Sequence, residues 1–214
     1  MVNKNKYNMK SKKNPYCIWI TGMPSSGKST ISRRLKNKIP THLKVAIFES
    51  DVFRKEINLP APYSTESRHD FYKIFTDYIF KISDLLNLDV VIIDATGNYL
   101  KFRNRAKSFY KLYKELYVYA SALIRISRDP KGLYNACKNG QKPNLPIYPL
   151  GDTISPINIL HEKDRVYVMN NFLDYGVYEV NPEPDYIVMS GIEQDTEITI
   201  KKIINEIEAI ISIQ

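Results

Sequence analysis

The chain has 214 residues, of which 43% are hydrophobic, a length that suits one domain with a sizeable core and is too short for two. No apolar run approaches the roughly 18 residues that span a bilayer, and no apolar stretch follows the lysine-rich N-terminus as in a targeting signal, so we expect no membrane association and a cytoplasmic location. The two cysteines, Cys17 and Cys137, indicate neither a disulfide framework nor a metal cluster, and the net charge of +8 raises the question of a nucleic-acid ligand.

A basic tail occupies residues 1–14 and holds five of the lysines: Lys4, Lys6, Lys10, Lys12 and Lys13. A short tail rich in lysine and asparagine is more often a disordered solubilising arm than a nucleic-acid arm. Without the tail the positive excess is only about three, which suits a protein that handles polyanionic small molecules. We therefore interpret residues 15–214 as one folded domain and do not expect a nucleic-acid partner.

Strand-like and helix-like segments alternate along this domain. Apolar runs predict five strands, at Cys17–Thr21, Val45–Phe48, Val90–Ile93, Leu116–Tyr119 and Tyr186–Met189. Apolar residues at helical spacing predict helices at Ser29–Lys38, Ser64–Leu88, Leu100–Tyr113, Ser121–Ser127 and Thr196–Ile211. This alternation is typical of a parallel sheet, so we predict an α/β fold with helices on both faces of a five-stranded parallel sheet.

Residues 128–178 interrupt the alternation. The stretch Arg128–Gly151 is polar, is broken by glycine and proline, and is hard to place in a core. We interpret the region as a mobile lid that includes an added segment at about residues 152–177 and has little means of burying a core of its own. The alternative is that the added residues form a fixed packing or dimer element.

The stretch Gly22–Ser29 reads GMPSSGKS and matches the phosphate-binding pattern G-x-x-x-x-G-K-[ST] between a strand and a helix. In such a loop the backbone N–H groups and the helix N-terminus face the phosphates, the lysine reaches the β and γ oxygens, and the hydroxyl ligates magnesium. We therefore predict a P-loop NTPase fold with Lys28 as a catalytic cation and Ser29 as a Mg²⁺ ligand. The predicted ATP-binding residues are Gly22, Ser25, Ser26, Gly27, Lys28, Ser29 and Thr30.

The rest of the sequence narrows the class of P-loop protein. The N-K-x-D guanine motif of GTPases is absent from the sequence, and transporter or helicase ATPases need partner motifs and more chain. A small-molecule kinase remains. It needs an acceptor site beyond the γ-phosphate, a carboxylate that orients or deprotonates the acceptor hydroxyl, and a cationic lid.

Acceptor-side candidates follow the second predicted strand. Asp51 and Arg54 emerge at the carboxyl end of the sheet, where open α/β folds bind ligands, so we predict Asp51 as the hydroxyl-orienting base and Arg54 as a clamp on the acceptor phosphate. The alternative for Asp51 is a helix cap. Arg68 is a second clamp candidate, for which the alternative is an exposed arginine on a helix surface.

Asp94 ends the third predicted strand and could hold Mg²⁺ through water, as acidic strand ends do in P-loop enzymes, or could cap a helix. The run Arg128–Tyr134 (RDPKGLY) concentrates cations, a glycine and an aromatic residue at the start of the predicted lid. By itself such a run is compatible with a turn that carries solvated charges.

Five segments together resemble adenylylsulfate (APS) kinase: the phosphate-binding loop, Phe48–Arg54, Tyr63–Arg68, Arg128–Tyr134 with Ala136 and Gly140 after it, and Tyr178-Glu179 before Pro182. The order and spacing match through about Gly140. The resemblance implies MgATP-dependent phosphorylation of the ribose 3′-hydroxyl of adenosine 5′-phosphosulfate, on a five-stranded parallel core that is often dimeric. It also implies that Asp51 orients that hydroxyl, Arg54 and Arg68 contact the phosphosulfate, Lys131 closes on the anionic ligands and Arg128 lies near the ATP adenine.

The sequence departs from the family pattern on the acceptor side. Leu-Asp-Gly-Asp is replaced by Phe48–Asp51, Asn-Ile-Arg-Arg by Phe71–Ile74, and Ile-Ser-Pro at the third strand end by Asp94–Gly97. Three alternatives therefore stay open: a kinase of another nucleotide conjugate such as cytidine diphosphoramidate, a polynucleotide or RNA-end kinase, and a nucleotide-gated binding protein without chemistry. The expected partners are a small nucleotide substrate and a second copy of the chain.

Overall fold

The structure, a computed structural model, describes residues 14–59, 64–142, 144–151 and 157–212. Apart from its last residue, the predicted basic tail lies outside these ranges. Within them the strands are β1 (Tyr16–Thr21), β2 (Val45–Glu49), β3 (Val90–Asp94), β4 (Leu112–Tyr119), β5 (Pro146–Leu150), β6 (Gly176–Glu179) and β7 (Tyr186–Met189). The helices are α1 (Lys28–Lys38), α2 (Ser50–Glu56), α3 (Thr65–Leu85), α4 (Leu100–Lys107), α5 (Ala122–Arg128), α6 (Leu133–Lys138), α7 (Asn158–Asn171) and α8 (Glu193–Ile211). None of the helices in the described ranges is long and apolar enough to cross a membrane.

The central sheet is parallel, and its five strands in the described chain follow the order β2-β3-β1-β4-β7. Side chains of β1 alternate between two cores. Ile18 and Ile20 pack with buried residues of α1 and α8, whereas Cys17 and Trp19 pack with aromatic residues of α3 and α4. The sheet is therefore covered by helices on both faces, which confirms the predicted α/β fold.

The boundary between α4 and β4 differs from the sequence prediction. The helix ends at Lys107, six residues before the predicted end, and β4 begins at Leu112 rather than at Leu116. The first half of β4 contains the charged residues Lys114 and Glu115, so it lacks the apolar run by which a buried strand is predicted. Both find partners: Lys114 lies 3.2 Å from Asp185, and the buried Glu115 lies 3.2 Å from Arg103. Ion pairs thus make charged residues compatible with a strand that the apolar pattern alone does not reveal.

The region at 128–178 is more ordered than we expected from its composition. It contains α6, β5, α7 and β6, and β5 pairs with β6 in a second, two-stranded parallel sheet. A buried cluster joins α6, β5, α7 and the start of α5: Ala122, Tyr134, Cys137, Leu145, Ile147, Val168 and Phe172. The expectation that the region has little core of its own is therefore wrong, because aromatic and aliphatic residues that are widely spaced in sequence meet in space. Residues 152–156 of the added segment lie outside the described ranges.

Arg103 joins the two sheets. Its guanidinium is fully buried and donates hydrogen bonds to the carboxylate of Glu115 on β4 at 3.2 Å, to the backbone oxygen of Glu179 on β6 at 2.7 Å, and to the backbone oxygen of Gly97. One carboxylate and two carbonyl oxygens thus offset the cost of burying this charge. The loop after β3 is thereby held against β4 and β6.

We expect Arg103→Ala to lower the free energy of unfolding by about 3–5 kcal/mol, because it leaves Glu115 as a buried, unpaired charge. Urea unfolding followed by circular dichroism measures the change. Arg105→Ala on the same helix is the matched control. Its partner Asp77 is only partly buried, so its loss should cost about 1 kcal/mol or less. Equal losses for the two variants would contradict the role given to Arg103.

Candidate active site

A cleft of about 1060 Å³ opens at the carboxyl ends of β1, β2 and β3. Parallel α/β sheets bind ligands at this edge, because strand ends and helix N-termini converge there. Most of the site residues that the sequence predicts line the cleft: Ser25, Gly27, Lys28, Ser29, Thr30, Asp51, Arg54, Arg68, Asp94, Arg128 and Lys131. The structure therefore brings the donor-side and acceptor-side candidates together around one space.

The phosphate-binding loop depends on two glycines with positive φ. Gly22 has φ 149°, and a Cβ at this position would collide with the backbone oxygen of Val118 on β4. Gly27 has φ 101° and begins α1 in the left-handed conformation. Larger residues rarely adopt these angles, so the motif glycines are required by backbone geometry.

Lys28 is the first residue of α1, and its ammonium group donates a hydrogen bond to the backbone oxygen of Met23 at 3.1 Å. The lysine side chain therefore folds back across the loop into the cleft. Burial lowers the pKa of Lys28, and the charges of Asp94 and Asp51 partly restore it. A cation held by one carbonyl oxygen retains donors for the oxygens of a phosphate.

Two of the predicted ATP-binding residues lie outside the lining of the cleft. Among the described residues, Gly22 and Ser26 do not line the cleft. Ser26 is fully buried, and its N–H donates to the backbone oxygen of Met23 at 3.2 Å. In this structure both residues shape the loop from beneath.

Asp94 fits a water-mediated Mg²⁺ site. It is 5% exposed, and its Oδ2 atom is buried with no hydrogen-bond partner among the described residues. Burial raises the pKa of this carboxyl, while the charge of Lys28 and the nearby Ser29 hydroxyl oppose the rise. An unpartnered carboxylate oxygen near the Ser29 hydroxyl is suitable for a hard cation. Asp94 does not cap a helix, because in the described chain the nearest helix, α4, begins with Tyr99 as its N-cap.

Asp51 lies in the first turn of α2, where Glu49 is the N-cap, and in the described chain no side-chain cap bond is made there. The Asp51 carboxylate contacts two cations instead, Lys131 at 2.5 Å and Arg54 at 3.2 Å. Burial acts to raise the pKa of Asp51, but Lys131, Arg54 and Lys28 outweigh it and hold the pKa below its usual value. The group is therefore an anion at neutral pH, and the helix-cap alternative lacks support.

The two clamp arginines lie on neighbouring helices. Arg54 places its guanidinium 4.9 Å from the ring centroid of Phe71, and its Nε is buried with no hydrogen-bond partner among the described residues. Arg68 is 7% exposed and donates to the backbone oxygen of Asn144 at 2.5 Å. The alternative of an exposed helix-surface arginine is therefore wrong for Arg68. Both cations face a cleft that can accept an anion.

Arg128 also lines the cleft. It donates to the hydroxyl of Ser190, just after β7, at 2.8 Å. Ser190 approaches the phosphate-binding loop so closely that a Cβ on Gly27 would lie 3.1 Å from its hydroxyl. This contact places Arg128 beside the phosphate-binding loop.

Sequence reasoning missed several residues of the cleft, among them Tyr72 and Ser190. The hydroxyl of Tyr72 accepts a hydrogen bond from the N–H of Gly97 at 2.8 Å and so holds the loop after β3. Tyr72 has the spacing of a core residue on α3, so no sequence signal marks it. Ser190 could have been found, because it directly follows the fifth strand of a parallel sheet, where binding residues concentrate.

Comparison with known proteins gives a consistent family. The family model for adenylylsulphate kinase matches residues 14–147, which include every predicted site residue. A probable adenylyl-sulfate kinase from Pyrococcus abyssi is 31% identical over 136 residues, which are 62% of this chain and 76% of the relative. A cytidine diphosphoramidate kinase from Campylobacter jejuni is 30% identical over 134 residues, which are 63% of this chain and 78% of the relative.

The fold has solved counterparts. The structure of an APS kinase from Mycobacterium tuberculosis, in complex with AMPPNP and APS, superposes with a TM-score of 0.66 at 15% identity and covers 91% of this chain and 98% of that one. At this identity the likeness shows the fold. The sequence family is shown separately by the match at 14–147, which spans well over half of the chain. From the phosphate-binding loop, the parallel sheet and this match, we conclude that the chain belongs to the adenylylsulphate kinase family and is an ATP-dependent kinase.

Proposed function

We propose that this kinase transfers the γ-phosphate of ATP to the ribose 3′-hydroxyl of adenosine 5′-phosphosulfate and forms 3′-phosphoadenosine 5′-phosphosulfate. The observation that carries the proposal is the ionised carboxylate of Asp51, held by Lys131 in the same cleft as Lys28. A nucleotide-gated switch protein has no need of a base for an acceptor hydroxyl. Family membership and the order of the donor, base and clamp residues along the chain support the same acceptor class.

On the donor side, Lys28 and the N-terminus of α1 would bind the β and γ phosphates, and Arg128 would lie towards the adenine. Ser29 and Asp94 are the residues that would hold Mg²⁺, Asp94 through water. When bound, the ion would neutralise charge on the phosphates and help to align them. Among the described residues, no three His, Cys, Asp or Glu side chains form a protein-only metal site, which fits a cation held jointly with nucleotide phosphates.

On the acceptor side, the Asp51 carboxylate would accept the proton of the attacking hydroxyl. The hydroxyl oxygen forms a bond to the γ phosphorus, the bond from that phosphorus to the bridging oxygen breaks, and ADP leaves with its electron pair. Lys28 stabilises the charge that develops on the transferred group. Because the lowered pKa of Asp51 keeps it ionised, orienting the hydroxyl is at least as important as its strength as a base.

Arg54, Arg68 and Lys131 would bind the anionic phosphosulfate. Arg54 offers a buried Nε donor, and Lys131 is exposed enough to move between Asp51 and a ligand. A cation that changes partners in this way would close the cleft when the acceptor arrives. Movement of the wider lid, a magnesium requirement, a homodimer and a cytoplasmic location all stay predictions.

Cytidine diphosphoramidate is the second candidate acceptor. It is the substrate class named for the Campylobacter jejuni relative, and it also presents an anionic diphosphate group to the clamp residues. The sequence departures reach the site, because Thr96, within the replaced segment Asp94–Gly97, lines the cleft. The cationic cluster by itself accepts either compound.

A panel of acceptors tests the proposal. The purified chain is incubated with MgATP and APS, cytidine diphosphoramidate or a 5′-hydroxyl oligonucleotide, and both ADP release and product mass are measured. We expect APS to react and to gain one phosphate. If APS is inert while another compound reacts, the acceptor is wrong and the kinase assignment stands.

We expect Lys28→Ala to reduce phosphoryl transfer at least about 100-fold, because an electrostatic group at the transferred phosphate is lost. Its thermal unfolding temperature should be close to that of the unaltered protein. Lys38→Ala at the other end of α1, where the lysine pairs with Glu197 on the surface, is the control and should keep its activity. Retention of more than half the activity by Lys28→Ala would overturn the ATP site.

Asp51→Asn should leave the affinity for ATP nearly unchanged and lower the turnover number at least about 100-fold, because an amide keeps the shape but accepts no proton. Steady-state kinetics with each substrate varied in turn separate the two effects. Asp70→Asn, an exposed carboxylate on α3, is the control. Normal turnover with reduced thermal stability would indicate that Asp51 has a structural role only.

Lys131→Ala should shift the acidic limb of the kcat/KM profile to higher pH. Lys131 holds the pKa of Asp51 down, so its removal raises that pKa, and the ionised form is then lost at a higher pH as the solution is acidified. The KM for the acceptor should rise as well. Lys131→Arg keeps the positive charge and should keep the limb near its original position. If the acidic limb does not shift in Lys131→Ala, Asp51 is not the group whose ionisation the limb reports.

A further inference from the structure

A chain of buried polar side chains connects α7 to the phosphate-binding loop. Asp164 on α7 is 4% exposed, and its Oδ2 atom accepts a hydrogen bond from the guanidinium of Arg125 at 3.2 Å. Arg125 is fully buried on α5 and donates to the hydroxyl of Tyr134 at 2.8 Å. The Tyr134 hydroxyl in turn donates to the backbone oxygen of Pro24 at 2.8 Å.

Each member of this chain is fixed by a second contact. The other oxygen of Asp164 accepts the N–H of Ala122 at 2.7 Å, and Arg125 also donates to the backbone oxygen of Ala120 at 2.9 Å. Tyr134 lies in the first turn of α6, where its N–H donates to Asp129 at 3.1 Å. A connected series of hydrogen bonds polarises along its length, so the charged guanidinium makes the phenol a stronger donor to Pro24.

The hydrogen bond from Tyr134 to Pro24 acts on a part of the phosphate-binding loop that has an unusual backbone conformation. The oxygen of Pro24 belongs to the peptide bond that joins Pro24 to Ser25, and Ser25 has φ 61°, which is unusual for a residue other than glycine. In a trans peptide the C=O and N–H point in opposite directions. When Tyr134 holds the oxygen, the Ser25 N–H therefore turns away from Tyr134. Ser25 lines the cleft.

We infer that Asp164, Arg125 and Tyr134 are positioning residues that orient the Pro24–Ser25 peptide for nucleotide phosphates. Through them α7 supports the ATP site, although this helix lies beyond the matched residues 14–147. None of the three side chains contacts the reacting atoms in this scheme. The inference rests on the ATP site of the kinase and is independent of which acceptor is used.

Tyr134→Phe tests the final link, because it removes one hydroxyl and keeps the ring. We expect the dissociation constant of MgADP, measured by calorimetry, to rise about tenfold, and the KM for ATP to rise with it while the KM for the acceptor stays unchanged. Tyr117→Phe is the matched control. Tyr117 is also buried, and its hydroxyl lies 3.1 Å from Nε2 of His161 on α7, with no hydrogen bond to the loop in the described chain.

The control separates positioning from general destabilisation. Tyr134→Phe loses two buried hydrogen bonds and Tyr117→Phe loses one, so Tyr134→Phe should lose at least as much thermal stability as the control. Only Tyr134→Phe should weaken MgADP binding. Unchanged MgADP affinity in Tyr134→Phe, or an equal loss in Tyr117→Phe, would overturn the inference. MgADP binding needs no acceptor. If APS does not react in the acceptor panel, the proposed substrate is therefore wrong, but the inference about the phosphate-binding loop is unaffected.

Asp164→Asn tests the far end of the chain. It should weaken MgADP binding severalfold, and the double variant with Tyr134→Phe should bind no more weakly than the poorer of the two single variants, because both changes interrupt the same path. Additive losses would show that Asp164 acts independently of Tyr134 and would overturn the connection to α7. If Asp164→Asn fails to fold, the comparison of Tyr134→Phe with Tyr117→Phe still decides whether the phenol positions the loop.

Discussion

The turn from β1 into α1 has no room for a side chain at Gly22, because the backbone of β4 passes directly beside it. This close approach fixes the phosphate-binding loop at the centre of the sheet, where β1 lies between β3 and β4. The ends of β2 and β3 then bring Asp51 and Asp94 to the same edge. The whole arrangement of donor and acceptor groups thus depends on how tightly one loop is packed against its neighbouring strand.

Asp94 and Asp51 carry the same carboxyl group, but their surroundings shift its pKa in opposite directions. Burial dominates at Asp94 and raises its pKa, so its ionised form gains most from a nearby cation. Burial is the largest single effect at Asp51 too, but Lys131, Arg54 and Lys28 together outweigh it and lower the pKa of Asp51, so the group is already ionised before any ligand arrives. In the proposed reaction the first group suits metal binding and the second suits orientation of a hydroxyl. The difference arises from neighbouring residues rather than from the carboxyl groups themselves.

The sequence predicted the central fold and most of the cleft, because strand-loop-helix patterns and the motif at Gly22–Ser29 are local signals. It did not predict the early start of β4, since Glu115 is compatible with burial only through the distant Arg103. The core of the region at 128–178 was missed for the same reason. Contacts such as that between Tyr134 and Pro24 join residues far apart in the chain, and no periodic pattern encodes them.

The buried ion pair between Arg125 and Asp164 has a consequence for protein engineering. The arginine lies inside the portion that matches the family and the aspartate lies outside it. A shortened chain or a chimaera that kept the first portion and exchanged the rest would leave a guanidinium stranded without its counterion, at a cost of several kcal/mol. The two portions are therefore not exchangeable modules, and any graft between relatives must transfer the arginine and its carboxylate together.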